Sequence, residues 1–323
     1  MSLRTQLKPA DLKEFTERSD LKATWLILFN WGLLLGAFAI PILWFHPASI
    51  LISIILIANR QLGLAILMHE CAHYSLFSSK KLNQWVGKLL CGAPVLADLD
   101  GYRKYHMRHH AEAGTKTDPD YPNYKPYPVT KQSMWRKVAR DLIGLTALKQ
   151  LYALLLMNAG ILSYDMSYQS NSTNESIRLR EALINLGKNL FLPILIHAGL
   201  FSIFYFTGNA WAYGLWWASY FTVYMLILRI RNAAEHGNVP DLLSTDPQLH
   251  ARTTYASWWE RLTCAPNYVN YHMEHHLRPS VPCYNLKKFH EYLKSKGLIE
   301  ERSVANGYAE VIRRLTQLEP TST

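Results

Sequence analysis

The sequence is poor in charged residues and in cysteine. Only 18% of its 323 residues are Asp, Glu, Lys or Arg, against about a quarter in soluble domains. The four cysteines are far apart and form no CxxC pair, which excludes a disulfide framework and indicates reduced thiols in a cytosol-facing protein. The N-terminal stretch MSLRTQLKPADLKEF lacks an apolar core, so we expect no cleavable signal peptide.

Apolar residues, in contrast, are abundant. They make up 49% of the chain, and aromatics 12%. A mean hydropathy of −0.06 excludes a chain that is membrane from end to end, and it fits a polar body attached to several spanning helices. The net charge of +10 is spread over polar and amphipathic segments without a nucleic-acid motif. We therefore expect an anionic membrane surface as partner, and no nucleic acid.

Four apolar segments predict transmembrane helices: residues 25–45, 50–68, 190–206 and 210–230. A four-residue turn joins the first two and the short turn FTGNA joins the last two, so we predict two antiparallel hairpins. Neither turn carries lysine or arginine, whereas every other connecting segment does. The positive-inside rule then places both termini and the active site in the cytoplasm, at the plasma or inner membrane of a bacterium or the endoplasmic reticulum of a eukaryote.

The polar remainder predicts a cytosolic helical cap, formed by residues 99–188 and 232–323. Within it, residues 141–163 have the amphipathic pattern of one helix on the membrane surface. DPDYPNYKPYP predicts extended or turn structure, and SYQSNSTNES predicts a loop. The predicted fold is an all-α integral membrane protein, a single domain over residues 1–323, with four transmembrane helices in two hairpins and this cap.

Arg60 interrupts the second apolar segment, between Asn59 and Gln61. An ionisable residue at membrane depth usually faces the bundle interior. Two interpretations stay open for Arg60: pairing with a carboxylate or a helix end, or a role in the substrate path.

Histidines are concentrated in clusters with helical spacing. One cluster is HxxxH and two are HxxHH: His69 and His73, then His106, His109 and His110, then His272, His275 and His276. On a helix, residues three and four apart share a face, so each cluster is predicted to point its imidazoles at one place. Because imidazole is the commonest metal ligand, three such clusters predict metal binding. Four isolated histidines are assigned structural roles: His46, His197, His250 and His290.

A further pair, Asn232 and His236 in RNAAEHG, follows the fourth predicted span. The topology brings this pair to the level of His69, at the cytoplasmic end of the second span. Nine histidines and one amide are enough for two metals and too many for one. Nitrogen ligands with open positions suit iron and the activation of oxygen. A site at the membrane face can receive an acyl chain from the bilayer and electrons from a soluble donor.

The motifs HECAHYSLF, YRKYHMRHH, RNAAEHG and NYHMEHHLRPSVPCYNL resemble the histidine boxes of membrane fatty acid desaturases, a family that includes related hydroxylases and ketolases. The resemblance covers about residues 25–295. It implies a non-haem di-iron centre that uses O2 and two electrons to introduce a cis double bond into an acyl chain. It also implies that Asn232 reaches a metal through water. The implied histidine ligands are His69, His73, His106, His109, His110, His236, His272, His275 and His276.

The resemblance also bears on partners. The substrate is expected to be a lipid or an acyl thioester. Because the sequence has no HPGG haem-binding motif, the electron donor is expected to be external, a ferredoxin or a b-type cytochrome with a reductase. The third box begins with His272 rather than glutamine, unlike front-end desaturases. Five carboxylates are placed to orient metal-bound imidazoles: Glu70, Asp118, Asp120, Glu235 and Glu274.

Three other functions remain open. Iron ligation alone does not distinguish a desaturase from a related di-iron hydroxylase or carotenoid ketolase. HECAH is formally the HExxH motif of zinc peptidases, and Leu99–Gly101 imitates the LDG motif of intramembrane members. That interpretation leaves both HxxHH clusters unexplained. A membrane metal carrier would have ligands at mid-membrane, whereas these follow the ends of the predicted spans.

Overall fold

The computed structural model describes residue 7 and residues 9–165 and 177–317. The predicted loop SYQSNSTNES lies outside these residues. The described chain is mostly helical, which confirms the helical part of the predicted fold. The α-helices are α1 (Pro9–Thr16), α2 (Asp20–Leu43), α3 (Pro47–Ala72), α4 (Lys80–Val86), α5 (Leu99–Glu112), α6 (Tyr121–Tyr124), α7 (Lys131–Leu142), α8 (Leu145–Asn158), α9 (Leu179–Phe206), α10 (Tyr213–Ser219), α11 (Met225–His236), α12 (Pro247–His250), α13 (Trp258–Thr263), α14 (His272–Leu277), α15 (Cys283–Ser295) and α16 (Tyr308–Thr316). Two short strands, β1 (Thr253–Thr254) and β2 (Val304–Ala305), pair in parallel.

Three helices among the described residues are long and apolar enough to cross a membrane: α2, α3 and α9. They correspond to the first three predicted spans and begin earlier than predicted, most of all α9, which starts eleven residues before position 190. The polar residues of their first turns extend each helix beyond its apolar segment. Helix α9 is the most exposed of the three, with 11% of its apolar window buried, as expected of a helix that faces lipid.

The fourth predicted span is helical but not one regular α-helix. A 3-10 turn at Ala210–Ala212 leads into α10, and a π-helical segment at Tyr220–Tyr224 separates α10 from α11. The residues at both junctions, Ser219, Tyr220 and Tyr224, have right-handed helical φ and ψ, so the backbone continues as a helix from Tyr213 to His236. Its regular α-helical parts are each shorter than a membrane span. The fourth span and the two-hairpin arrangement therefore stay predictions.

Helix α3 is the centre of the molecule, and its two halves have different surroundings. From Ile57 to Ala72 every residue except Ala65 is buried. This half is enclosed by C-terminal segments as well as by the apolar helices: the Asn59 amide donates to the Arg261 carbonyl of α13, and the Asn267 amide donates to the Gly63 carbonyl at 2.9 Å. The N-terminal half is more exposed, so the chain changes environment near residue 59.

Arg60 lies at this change of environment. It is buried, and its Nε donates to the Asn59 amide oxygen at 2.8 Å while Nη1 donates to the Asn30 amide oxygen of α2 at 3.4 Å. Of the two interpretations left open, pairing with a carboxylate or a helix end is thus wrong, because amide oxygens supply the acceptors. A role of Arg60 in the substrate path stays a prediction. Gln61 donates to the Trp216 carbonyl of α10. The polar residues in the second apolar segment therefore join neighbouring helices.

The segment 141–163 is not one helix, contrary to prediction. Gly144 has a φ of +86°, which ends α7 and starts α8 in a new direction. Asp141 is fully buried before this break and accepts from Arg229 Nη2 at 2.7 Å, which attaches α7 to α11. The Pro-rich stretch also differs from its prediction in one place, because α6 forms a single helical turn with a proline at its start.

Two of the isolated histidines have the structural roles predicted for them. His46 accepts from the Ala48 N–H and so caps the start of α3. His197 of α9 contacts the Pro94 carbonyl and the Tyr213 hydroxyl, each at 3.0 Å. Both rings satisfy polar groups at helix ends and between helices.

Gly114, just after α5, is a position where only glycine fits. Its φ is +81°, and an added Cβ would lie 1.9 Å from the Ser244 carbonyl oxygen. We expect Gly114→Ala to lower the free energy of unfolding by at least about 3 kcal/mol, because backbone strain adds to a backbone clash. The matched control is Gly208→Ala, which has the same sign of φ and open space around the Cβ; it should cost about 1–2 kcal/mol. Thermal unfolding in detergent measures both, and equal losses would contradict the expectation.

Candidate metal centre

The nine histidines of the predicted set separate into two compact groups. In each group, every histidine offers one ring nitrogen, and these nitrogens all lie within 4.8 Å of one another. The first histidine group is His69, His73, His106, His110 and His275. The second histidine group is His109, His236, His272 and His276. The structure thus brings together every histidine of the three clusters and adds His236 to them.

Each HxxHH cluster divides between the two groups, so the prediction that its three imidazoles point at one place is wrong. On α5, His106 and His110 belong to the first group and His109 to the second. Helix α14 has the opposite division, with two histidines in the second group and His275 in the first. Successive residues turn by about 100°, so positions i and i+4 nearly align, whereas i+3 and i+4 diverge. Each HxxHH cluster therefore contributes histidines to both groups.

Within the groups, the rings approach through their Nε2 atoms. Four Nε2–Nε2 distances lie between 2.8 and 3.2 Å: His106–His110, His110–His275, His236–His272 and His109–His276. Two neutral imidazoles that face each other with lone pairs repel, unless one carries a proton or both bind one cation. Nitrogen ligands about 2.1 Å from a metal and at right angles to each other are about 3.0 Å apart. The spacing is that of neighbouring ligands on one ion.

On the far side of the rings, Nδ1 atoms are held by hydrogen-bond acceptors. Asp118 lies 2.8 Å from His109 Nδ1, and Glu70 lies 3.2 Å from His69 Nδ1. Glu235 lies 3.1 Å from the Nδ1 of His272. An acceptor at Nδ1 keeps the proton there and leaves the Nε2 lone pair facing into the group. Three of the predicted orienting carboxylates therefore have that contact.

The other two predicted carboxylates differ. Asp120 is 3.6 Å from His109 Nδ1 and accepts from the Tyr105 hydroxyl at 2.6 Å, so its contact with the cluster is a longer one. Glu274 accepts from the Thr253 hydroxyl and pairs with His290. It therefore anchors α14 to β1 and α15, and the prediction that it orients a cluster histidine is not met.

Electrostatics favour the ligand form of these imidazoles. Burial, and after it the charge of neighbouring imidazoles, holds the pKa of His106, His110 and His275 well below its usual value. His109 is the exception: burial lowers its pKa, but the hydrogen bond to Asp118 and the nearby carboxylates outweigh burial and leave the pKa raised. Neutral rings with free lone pairs are what a metal ion requires.

Buried imidazole nitrogens that lack a hydrogen-bond partner test whether a metal fits the site. His69 Nε2 and His73 Nε2 are buried, and they have no hydrogen-bond partner in the described part of the chain. An unsatisfied buried nitrogen costs about 1–3 kcal/mol. Both belong to the first group, and a cation bound among its five imidazoles would satisfy them. The donor set, all imidazole nitrogen, suits iron, zinc, copper or nickel. The residues present therefore fit a metal in each group.

The larger of two cavities that face both groups lies beside α3. Its volume is about 130 Å³, and it is lined by His69 and His106 of the first group and by His109 and His272 of the second. Asn232 also lines it, with its side-chain oxygen accepting from Arg231 at 3.0 Å. An open space bordered by both groups provides room for a substrate next to any bound metal.

Sequence reasoning missed some of the residues that shape this site. The His250 carbonyl accepts from His236 Nδ1 at 2.7 Å, and the His250 ring lies 5.3 Å from that of His276. A backbone contact leaves no side-chain pattern in the sequence, so nothing marked His250 as a neighbour of the site. Tyr124, Gln150 and Tyr164 line the cavity, and they too belong to no motif.

The zinc-peptidase interpretation does not match this geometry. Glu70, which would be its general base, lies on the Nδ1 side of His69 and accepts from the Cys283 N–H at 2.8 Å and from Ser75. Asp100 of the LDG motif pairs with Lys88 at 2.6 Å and with Arg103. Both carboxylates are engaged away from the cavity.

Asp118→Asn tests the role of the carboxylates. The amide oxygen is a weaker acceptor for His109 Nδ1–H and lacks the negative charge, so metal affinity should fall about 10- to 100-fold. Metal retained against a graded series of chelator concentrations measures the change. Glu112→Gln is the matched control, because Glu112 pairs with the exposed Arg108 and contacts no cluster histidine. Equal metal retention by the two variants would show that Asp118 does not support the site.

Comparison with known proteins gives the family. A model of the family described as fatty acid desaturase matches residues 43–302. An sn-1 oleoyl-lipid 12-desaturase of Synechocystis sp. is 23% identical over 303 residues, covering 87% of this chain and 78% of that relative. A dihydrorhizobitoxine desaturase of Bradyrhizobium elkanii is 24% identical over 248 residues, 76% of this chain and 66% of the relative.

An sn-1 acyl-lipid omega-3 desaturase (ferredoxin) of Synechocystis sp. is 28% identical over 138 residues, which are 39% of this chain. The matched stretch spans only about a third of that relative, 34% of its length. The family match, in contrast, extends over most of the chain and includes all nine clustered histidines. The protein therefore belongs to the fatty acid desaturase family, a family of oxidoreductases.

Proposed function

We propose that the protein is a membrane fatty acyl desaturase that introduces a cis double bond into an acyl chain with O2 and two electrons. The observation that carries this proposal is the cavity bordered by both histidine groups. Two metal sites at one cavity fit a reaction in which each of two neighbouring methylenes loses one hydrogen.

Three apolar helices and the family support a membrane location. We place both termini and the site on the cytoplasmic side, as the distribution of basic residues predicts.

The two histidine groups would hold two iron ions, one in each group. We assign the ligands as the nine clustered histidines, with Asn232 beside the second group. Bound iron supplies the activation of O2 that an unreactive methylene requires. The protein contributes fixed imidazole orientation, through Asp118, Glu70 and Glu235. It also contributes an apolar wall, formed in part by Leu62 and Ile66 of α3, which excludes water and aligns a chain beside the groups.

A second cavity provides access to the first histidine group. Its volume is about 600 Å³, and its lining shares no residue with that of the first cavity. His73, His110 and the exposed Arg278 are among the lining residues. We assign this opening to an external electron donor, a ferredoxin or a b-type cytochrome with a reductase. The name of the omega-3 relative, which specifies ferredoxin, supports the first of these.

Expression in a host with simple lipids tests the function. New double bonds, located by mass spectrometry, should appear only when O2 is present. His272→Ala and His109→Ala should abolish them, since each removes a nitrogen from the second histidine group, while both variants still insert into membranes. His46→Ala is the matched control and should retain activity, because this exposed histidine caps α3, stacks on Trp44 and belongs to neither histidine group. Activity in the His272 variant would contradict the proposal, and a hydroxylated product would favour the hydroxylase.

Metal analysis of the purified protein tests the cofactor. We expect about two irons per chain, lost on chelation together with activity. His110→Ala should retain less iron than His290→Ala, because only His110 belongs to a histidine group. One zinc per chain together with proteolytic activity would instead establish the peptidase.

A further inference from the structure

The segment that ends α12 and leads into β1, residues 250–254, contacts both helices that hold most of the second histidine group. On one side, the His250 carbonyl accepts from His236 Nδ1, and His236 is the last residue of α11. On the other side, the Thr253 hydroxyl donates to the Glu274 carboxylate of α14 at 2.6 Å. Helices α11 and α14 carry three of the four histidines of the second group. The segment therefore joins the helices that form this group.

Arg252 is the charged residue of this segment, and it is directed at the end of α11. Its side chain is buried, with 1% of the residue exposed. Its backbone N–H and both terminal guanidinium nitrogens donate to four backbone carbonyls, at 2.6–2.8 Å. The acceptors lie on both sides of His236 and are the carbonyls of Ala234, Glu235, Gly237 and Asn238. One residue thus holds the backbone around a histidine of the second group.

The guanidinium makes these contacts without a carboxylate partner. Glu310 is close enough to affect its pKa but pairs with Arg314, and Arg252 forms no ion pair with any residue that the structure describes. Burial lowers the pKa of Arg252 to about 10, so the group stays charged at neutral pH. A buried charge without a counterion is costly, and the partial negative charge at the end of α11 offsets only part of that cost. The hydrogen bonds to the carbonyls therefore need a reason beyond packing.

The position of His236 supplies that reason. Because it is the last residue of α11, no further turn of helix holds it, and the final carbonyls of a helix lack partners within the helix. The chain turns away at once, since Asn238 has a φ of +47°. His236 Nε2 nevertheless lies 2.8 Å from His272 Nε2. A displacement of about 1 Å would remove this spacing, which is that of neighbouring ligands on one ion.

We propose that Arg252 is a positioning residue for the second histidine group, because it holds the carbonyls at the end of α11 and so fixes His236 opposite His272. Arg252 acts through His236 and binds no metal itself. This inference rests on the proposed function, since it takes the second histidine group as a metal site. The first histidine group has no residue on α11, so its metal affinity should be independent of Arg252.

Cobalt(II) titration of the metal-free protein in detergent tests this role. Cobalt(II) bound by imidazole nitrogen absorbs visible light, and competition with a chelator gives the affinity of each site. Wild type should bind two cobalt ions. Arg252→Met should lower the affinity of one site about 10- to 100-fold and leave the other site unchanged.

Arg314→Met is the matched control. Arg314 also donates to two backbone carbonyls, those of Arg302 and Val304, but neither residue lies on α11 or α14. This variant should bind both cobalt ions as wild type does. A loss of cobalt affinity equal to that of Arg252→Met would contradict the inference, because any internal arginine would then have the same effect.

A double variant separates positioning from general destabilisation. His236→Ala should weaken the same site, with the same change in the visible spectrum, as Arg252→Met. When both changes are combined, the weakened site should lose less than about threefold more affinity than in His236→Ala alone, because the ligand through which Arg252 acts is gone. A further loss as large as in the single Arg252→Met variant would overturn the inference.

Arg252→Lys provides the test if the methionine variant does not fold. Lysine keeps the charge, but its ammonium group lacks the planar fork that reaches three carbonyls at once. The same site should weaken about three- to tenfold. Unchanged cobalt affinity in this variant and in every Arg252→Met protein that folds would overturn the inference, and so would equal weakening of both sites.

The proposed function can fail separately. A wild type that binds two cobalt ions but forms no double bond in the host would contradict the desaturase alone, and the role of Arg252 would still be decided by the titration. A wild type with a single cobalt site would overturn the assignment of two metals and this inference together.

Discussion

The packing of nine imidazoles against one another, seven of them buried and two half-buried, is the constraint on which the structure depends. Desolvation and mutual repulsion keep most of these rings in the neutral form. They lower the pKa values of His106, His110 and His275. Neutral rings whose Nε2 atoms face each other about 3 Å apart need either a proton on one of the two nitrogens or a cation that both bind. The carboxylates at Nδ1, the buried second half of α3 and the C-terminal segments around it all maintain this arrangement.

Helix α3 joins the apolar region to this centre in one element. Its first half is apolar and more exposed, whereas its second half is enclosed by protein and carries His69 in its last turn. The polar triplet Asn59, Arg60 and Gln61 lies at the change, and these side chains donate to carbonyl and amide oxygens of neighbouring helices. A site nine residues beyond Arg60 is about 14 Å farther along the helix. A rigid helix thus fixes the distance between the apolar region and the histidine groups.

The cavity combines two kinds of lining, and its position explains why. It lies between the apolar side of α3 and the segments that carry the histidines, so apolar and polar side chains both line it. Helix α8 contributes Gln150 to it because Gly144 turns the chain between α7 and α8. A continuous helix over 141–163 would not have that change of direction.

The spacing of the histidines and the apolar segments by itself predicted a helical protein with several apolar helices and a nitrogen-rich metal centre. These three features depend on periodicity along the chain, which can be seen in a single sequence. Only the tertiary structure decided that His109 belongs to the second group while the other two histidines of α5 belong to the first. The same holds for the hydrogen bond from His236 to the His250 carbonyl. It also holds for the positions of Gln150 and Tyr164 in the lining of the cavity. Such pairings join residues from different elements, and their distances depend on how helices pack rather than on any pattern along the chain.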